Sequence, residues 1–345
     1  MSFNSFEYAT VFMEELDSQL LDQSTTGWME ENAGQVQYNG GAEVKIPKMQ
    51  MSGLGNYDRD GGFAKGAVTV TYETRRLTQD RGRTFQLDAM DVDEMNFAPT
   101  AGAVMREFQN TKVIPEIDAY RYSKIAELAQ AAGKARAYTV EVETIFENLL
   151  QDMTAVRDTV GDGCEMVIAM SAKVAGKLDL AKGGSHILES GTFRQGSVEL
   201  KVKELDGCPI IRVPSARFQT KYTFLDGVEK AEGGFAAAAD AKGINWIIMV
   251  KQAPVAISKT DVTRIFDPMT NQNANAWKID YRKYHDLWIA DNSMDGVFVD
   301  VTRKGKSYVI NSEERQNLDN AYLAMLKRLG LTPASAGGIQ SLLMP

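Results

Sequence analysis

The amino-acid sequence predicts an α+β fold, and three patterns carry that expectation. Two runs, 43–52 and 67–78, alternate side chains and are rich in the residue types that suit a pleated surface. Two longer runs, 101–132 and 140–160, place apolar residues three and four apart, as helices with one buried stripe do. Three short apolar runs, 165–170, 208–213 and 245–250, read as strands buried on both faces of a sheet.

The elements follow in order. Residues 4–21 predict an amphipathic helix, with Asn4 as cap, Glu7 three residues on, and Phe6, Ala9, Met13, Leu16 and Leu20 on one face. Residues 22–41 turn to Gly and Asn and predict a loop or extended arm. EVKIPKMQMS (43–52) puts Val44, Ile46 and Lys48 on one side, and Pro47 marks an edge strand. Its partner is AVTVTYETRRLT (67–78), across the polar, glycine-bearing tip GLGNYDRDGGFAKG (53–66). Two strands alone are marginal in water, so this hairpin is expected to lie against something else, within the subunit or outside it.

In 101–132, Val104, Phe108, Ile114, Ile117, Ile125 and Leu128 keep helical spacing, Pro115 is expected to kink the helix, and Gly133 ends it. Such a helix is on the order of 45 Å long. The run 140–160 carries Val142, Ile145, Phe146, Leu149, Met153, Val156 and Val160 behind Thr139 as cap. Ser171 is expected to cap a short helix ending at Leu180. Helix and strand mixed over 134–258 predict a compact α/β or α+β domain, with 226–243 as a surface loop. Residues 276–301 predict a long hairpin, with Trp277, Ile279, Tyr281, Leu287 and Ile289 on one strand face, DNSMDG (291–296) as turn and VFVDV returning. Beyond it, Asn311 or Ser312 caps a last helix, striped by Leu318, Tyr322, Met325, Leu326 and Leu329 and closed by Gly330 and Pro333. A lone helix of this kind is marginal, so its stripe is expected to be buried.

Composition excludes several classes. With 345 residues, 44% hydrophobic and 24% charged, the core needs neither disulfides nor metals. Two cysteines, Cys164 and Cys208, point to a reducing compartment. The start MSFNSFEYATVF has no signal-peptide pattern, and no run reaches the roughly 20 apolar residues of a membrane span, so no membrane partner is expected. A net charge of −8 offers no basic face for gripping phosphates, and even the stretch from Arg75 to Arg83 contains Asp80.

Chemical motifs are weak. Asn56, Asp58, Asp60 and Gly61 begin like a calcium loop, but Ala67 stands where the bidentate Glu is needed. Asp88, Asp91, Asp93 and Glu94 read as an exposed acidic approach to a helix. Cys164, His186, Cys208 and His285 are spaced too widely for a zinc site, and no third group orients a Cys/His nucleophile. His285, on an aromatic-rich strand, reads as a packed histidine. No Walker loop, GxSxG or HExxH occurs. No catalytic residue, cofactor or metal is expected, and an enzyme reading has no residues to stand on.

The order of elements (arm, two-stranded hairpin, long kinked helix, compact domain, second hairpin) resembles the Hong Kong 97-type capsid fold of tailed bacteriophages. TGWMEENAGQVQYNGGAEVKIPKM (26–49), YDRDGGF (57–63), TQDRGRTFQLDAMDVDE (78–94) and KVIPEIDAYRYSKIA (112–126) are similar to segments of capsid proteins from phages infecting Gram-positive bacteria. So are TRIFDPMTNQNANAWKIDYRKYHDLWIADN (263–292) and DGVFVDV (295–301). The resemblance covers residues 1–302. It implies an N-terminal arm at 1–42, an extended E-loop at 43–88, a peripheral domain at 89–133 whose spine helix is 99–132, an axial domain at 134–258, peripheral return strands at 259–302 and a C-terminal extension at 303–345. It further implies a major capsid protein that self-assembles into hexamers and pentamers, closing an icosahedral shell around double-stranded DNA. Assembly in the bacterial host cytoplasm and a final place in the virion capsid go with it. The implied partners are other copies, a portal protein, a decoration protein and packaged DNA bound without sequence specificity. Some relatives carry a scaffolding segment before the arm; its absence here implies either a separate scaffolding protein or a maturation cut already made, and the Met1 start favours the former. The alternative on the same fold is an encapsulin-type compartment shell. Contacts between subunits are expected from Lys45, Lys48, Asp58, Arg59, Arg75, Arg76 and Arg83 around the E-loop, and from the stripe Leu318, Tyr322, Met325, Leu326 and Leu329, for which the alternative is docking on its own peripheral domain.

Overall fold

The apolar runs of the sequence converge on one seven-stranded sheet in the computed structural model, which describes residues 24–35, 37–38, 43–60, 62–88, 104–181, 188–195, 198–228, 232–272 and 274–303. The predicted helix at 4–21, the acidic residues Asp91, Asp93 and Glu94, His186, and the stripe Leu318, Tyr322, Met325, Leu326 and Leu329 lie outside the described residues. So does the second of the chain's two units, 304–345.

In chain order, a 3-10 segment (Gly27–Gln35) precedes β1 (Gln37–Tyr38), β2 (Glu43–Met51), β3 (Val68–Arg76) and β4 (Gln79–Asp88). A helical stretch starts at 104, passes through a π-turn (Gln109–Val113) and continues as α1 (Ile114–Ala131). Next come β5 (Ala135–Tyr138), α2 (Ile145–Val160), β6 (Met166–Ser171), α3 (Ala172–Leu180), β7 (Glu189–Gln195), β8 (Val198–Leu205) and β9 (Cys208–Val213). The small hairpin β10 (Tyr222–Phe224) and β11 (Phe235–Ala237) leads to β12 (Ile244–Val250), β13 (Pro254–Phe266), β14 (Ala276–Ile289), a 3-10 turn (Asp291–Gly296) and β15 (Val297–Thr302).

The large sheet runs β5-β15-β12-β6-β9-β8-β7. Every residue of β6 is buried, because both sheet faces are covered. On one face Val167, Ala169, Ile247, Met249 and Val299 pack with Tyr122, Ile125, Ala126 and Ala129 of α1. On the other, Ile168, Met170, Ile210, Trp246 and Ile248 pack with Leu149 and Met153 of α2 and Val174 and Leu178 of α3. Continuous apolar runs are what a strand covered on both faces requires.

A second sheet, β13-β14-β4, receives the beginning of the long helix. Met105, Val113, Ile114 and Ile117 pack on Ile279 and Tyr281, with Phe85 and Leu87 beside them. One helix therefore backs both sheets. The opposite face of the second sheet holds the base of the β2–β3 hairpin, where Val44, Ile46 and Leu77 meet Val255, Ile257 and Trp288.

Several expectations change. The hairpin expected over 276–301 does not form: β14 pairs with β13 and β4, whereas 297–302 pairs with β12 and β5. The Asp291–Gly296 turn carries the chain from one sheet to the other, and Val297, Val299 and Val301 are buried there. The strand read over 67–78 breaks at Leu77, which enters the core, and Thr78, whose N–H and hydroxyl both donate to Asp286 Oδ2 (2.9 and 2.8 Å). Thr139 does not cap the second helix. Val140 is first buried beneath it, and α2 starts at Ile145. Thr144 holds the cap position, but its hydroxyl is bonded to the Tyr138 hydroxyl (2.6 Å) and makes no capping bond. Pro115 lies inside a helical run that is continuous from 104, so its missing N–H falls in the helix interior. The irregularity lies just before it, where the Ile114 N–H reaches back to the Gln109 carbonyl. The loop expected at 226–243 contains β11.

Candidate assembly surface

The β2–β3 hairpin has two faces of opposite character. Alternate residues of a strand point to opposite sides, and directly opposed residues share a side. The pairs Val44–Arg75, Ile46–Glu73 and Lys48–Thr71 thus share the face that packs on the body, with Val44 and Ile46 buried. The other face carries Pro47–Tyr72, Met49–Val70 and Met51–Val68 in three successive rungs. Among the described residues nothing covers them: Met49 is 53% exposed, Met51 68%, Val68 65%, Val70 49% and Tyr72 51%.

The tip continues this apolar surface. Tyr57 and Phe63 meet edge to face with centroids 5.0 Å apart, and both are exposed, as is Leu54. Asp58 and Gly62 exchange backbone hydrogen bonds (3.1 and 2.8 Å), and the Asp58 carboxylate accepts the Asp60 N–H (3.1 Å). Gly62 has φ +79°, which a side chain would strain. Asp58 is therefore the turn-forming residue of a built knob. Elsewhere among the described residues, only Leu180, Val228 and Met269 are large apolar side chains so exposed.

The predicted interface charges divide. Lys48 Nζ reaches Asp291 (3.0 Å) and Glu73 (3.8 Å), and Arg75 reaches Glu73 (3.2 Å) and Asp291 (3.4 Å). Arg76 lies 3.9 Å from Glu43. These three brace the hairpin base within its own chain, each exposed pair worth about 0–1 kcal/mol. Lys48, with Arg75 behind it, holds the Asp291 carboxyl below its usual range. Lys45 and Arg59 lie exposed on the hairpin. Arg83 is not on the hairpin. It sits on β4, its guanidinium against Gly227 and Gly233 in the loop after β10. Neighbouring Arg81 donates to the Leu225 and Gly234 carbonyls (2.8 and 3.2 Å) and to Glu116 (2.6 Å), so β4 clamps that loop.

Residues 24–35, expected within the arm, are instead wired into the core. Trp28 and Met29 are buried, with Trp28 edge-on to Phe193. Asp118, fully buried on α1, accepts from the Ser24 hydroxyl (3.0 Å), the Thr25 N–H and hydroxyl (3.2 and 3.0 Å), the Thr26 hydroxyl (2.6 Å) and Arg217 (3.3 Å). Arg121 donates to Glu30, which also accepts from Ser258 (3.1 Å). Burial pushes the Glu30 carboxyl up, but Arg121 and Lys283 outweigh it and hold it at about 2. Burial, then Arg121 and Lys283, keep the His285 imidazole well below its usual range, and its ring packs edge-on to Tyr120. Cys164 is exposed and Cys208 buried. Among the described residues no group of three or more His, Cys, Asp or Glu is arranged to hold a metal ion.

No protein-family model matches this sequence, and no curated protein does. Solved structures match in three dimensions. The mature capsid of bacteriophage PhiM1 superposes with a TM-score of 0.53 at 12% identity, over 77% of this chain and 84% of that one. The capsid structure of the cyanophage P-SCSP1u gives 0.54 at 11% identity, over 77% and 84%. A chain from Gordonia phage Cozz gives 0.51 at 14% identity, over 76% and 81%. The fold is that of a viral shell protein. In particular, it is the α+β fold of bacteriophage capsid proteins.

Proposed function

We propose that this chain is the major capsid protein of a tailed phage, with the Hong Kong 97-type division into arm, E-loop, peripheral domain, spine helix and axial domain. The carrying observation is the apolar ladder Pro47–Tyr72, Met49–Val70 and Met51–Val68. It faces away from the body on a braced arm that ends in an aromatic knob. Contiguous exposed apolar surface of this kind marks an interaction site, and a second copy is the partner. Copies join as hexamers and pentamers and close an icosahedral shell, with Lys45, Asp58 and Arg59 meeting acidic or basic groups of a neighbour. Lys48, Arg75, Arg76 and Arg83 set the angle of the arm and of the β10–β11 loop, and the stripe Leu318–Leu329 adds a second contact. The shell encloses double-stranded DNA without sequence-specific binding, in keeping with the net charge of −8. A portal, a separate scaffolding protein and a decoration protein complete the particle, which forms in the host cytoplasm and serves in the virion.

Electron microscopy of the purified full-length chain tests this. Closed shells are expected. Deleting 53–65 is expected to leave a folded subunit that closes shells poorly. Normal shells from the deletion refute the role of the arm, and particles filled with protein cargo point to an encapsulin-type compartment.

A further inference from the structure

Two buried carboxylates share one arginine where α2 meets the large sheet. Asp152 comes from α2, Arg136 from β5 and Asp300 from β15. The Asp152 side chain is 5% exposed, that of Asp300 0%, and that of Arg136 31%. Arg136 Nη2 donates to Asp152 Oδ2 (2.8 Å) and its Nε to Asp300 Oδ2 (3.1 Å). From β12, the Trp246 indole donates to the same Asp152 Oδ2 (3.0 Å), and Asn245 donates to Asp300 Oδ1 (2.7 Å).

The bonding is asymmetric. Asp300 has a donor on each oxygen, as an ionised carboxylate wants. Both of Asp152's donors land on Oδ2, so a proton can sit on Oδ1 without breaking either bond. With both groups ionised, the site holds two negative charges and one positive, an excess that burial opposes. The Arg136 side chain, partly exposed, is where the site meets solvent.

We propose that this triad is a proton-operated joint: Asp152 takes up a proton on Oδ1, and α2 is held more firmly on the sheet with that proton than without it. The other charged groups on elements packed against α2 are committed elsewhere or turned outward. Lys177 of α3 donates to the Val140 carbonyl, Asp179 pairs with Lys203 and Arg212, and Lys173 is exposed. In the 291–296 turn, Asp291 pairs with Lys48 and Asp295 with Lys134. Tyr138 stacks its ring on Arg136 at 5.5 Å. Burial raises the Asp152 carboxyl; Arg136 and the Trp246 hydrogen bond pull it down, Asp300 adds to the rise, and the result is about 6. Burial raises Asp300 as well. An acid whose folded-state pKa is raised binds the proton more tightly folded than unfolded. The site's stability therefore increases as pH falls through about 6 toward the unfolded value near 4.

The test compares the full-length chain with Asp152→Asn, which mimics the protonated acid, in the same oligomeric state at about pH 5 and about pH 8. The variant is expected to melt higher than wild type at the higher pH, by roughly 2 °C or more, and to match it at the lower. A gap that is the same at both pH values overturns the proposal. Hydrogen exchange of the α2 amides in the unmodified chain, corrected for intrinsic rate, supplies an arm that needs no substitution. Protection is expected to fall as pH rises through 6, and unchanged protection overturns the proposal equally. Neither outcome depends on whether the chain builds a shell.

Discussion

Replacing Met49, Met51, Val68, Val70 and Tyr72 together by threonine should abolish shell formation while leaving the subunit folded. Threonine keeps the β-preference of these positions, so the hairpin remains a hairpin. Each of the five side chains is between 49% and 68% exposed in the single chain. Full burial of such a side chain is worth about 1.5–3 kcal/mol, so about half of that is still to be gained when a second copy covers it. That leaves about 1 kcal/mol per position and about 5 kcal/mol per docked hairpin, roughly several thousandfold in the association constant of each contact. The same positions contribute little to the isolated subunit, where exposed substitutions usually stay within about 0.5 kcal/mol. Sedimentation and light scattering across a concentration series read the assembly threshold, and urea unfolding of the unassembled chain reads subunit stability. Shells that form at the wild-type threshold refute the role of the ladder.

Other substitutions probe the wiring. Asp118→Ala leaves Arg217 and three hydroxyls without their buried acceptor and should cost about 3–5 kcal/mol in urea unfolding, with Trp28 emission shifting as 24–35 loosens; a loss below about 1 kcal/mol would show that the clamp is redundant. The Glu30 carboxyl lies near 2 in the folded chain against 4.5 unfolded. Its contribution is therefore complete above about pH 4.5 and lost as pH falls toward 2. The advantage of wild type over Glu30→Gln in melting temperature should shrink across that window, and a constant advantage would contradict the assignment.

How much of this was legible in the sequence follows from range. Strands β6, β9 and β12 were readable because both faces of each are covered, which leaves a local signature. The β2–β3 hairpin was readable from alternation and from its glycine-bearing tip. Strand β8, with Val198, Leu200 and Val202 alternating with Glu199, Lys201 and Lys203, carries a visible period of two. The partner of β15 was not readable: VFVDV fits any sheet edge, and only the turn at 291–296 decides which sheet it joins. Asp118, Glu30 and Lys283 look like surface charges in one dimension. Their burial depends on partners 22 to 228 residues away, which no local pattern encodes. Lys48 and Arg75 stand on the hairpin, where the alternation puts them, but their acidic partner Asp291 lies more than two hundred residues on, in the same chain.

The position of β15 has a consequence for the order of events during synthesis. β5 forms early in the chain, yet its one neighbour in the sheet is β15, which lies between it and β12. Residues 135–138 therefore wait for residues 299–302 before they have a pairing partner. Contacts this distant in sequence close late and slowly. A ribosome-bound chain short of residue 302 carries its apolar hairpin but not a finished large sheet. Under the proposed shell function, completion of the sheet acts as a timer, keeping unfinished chains from joining a growing particle until almost all of the described fold has been made.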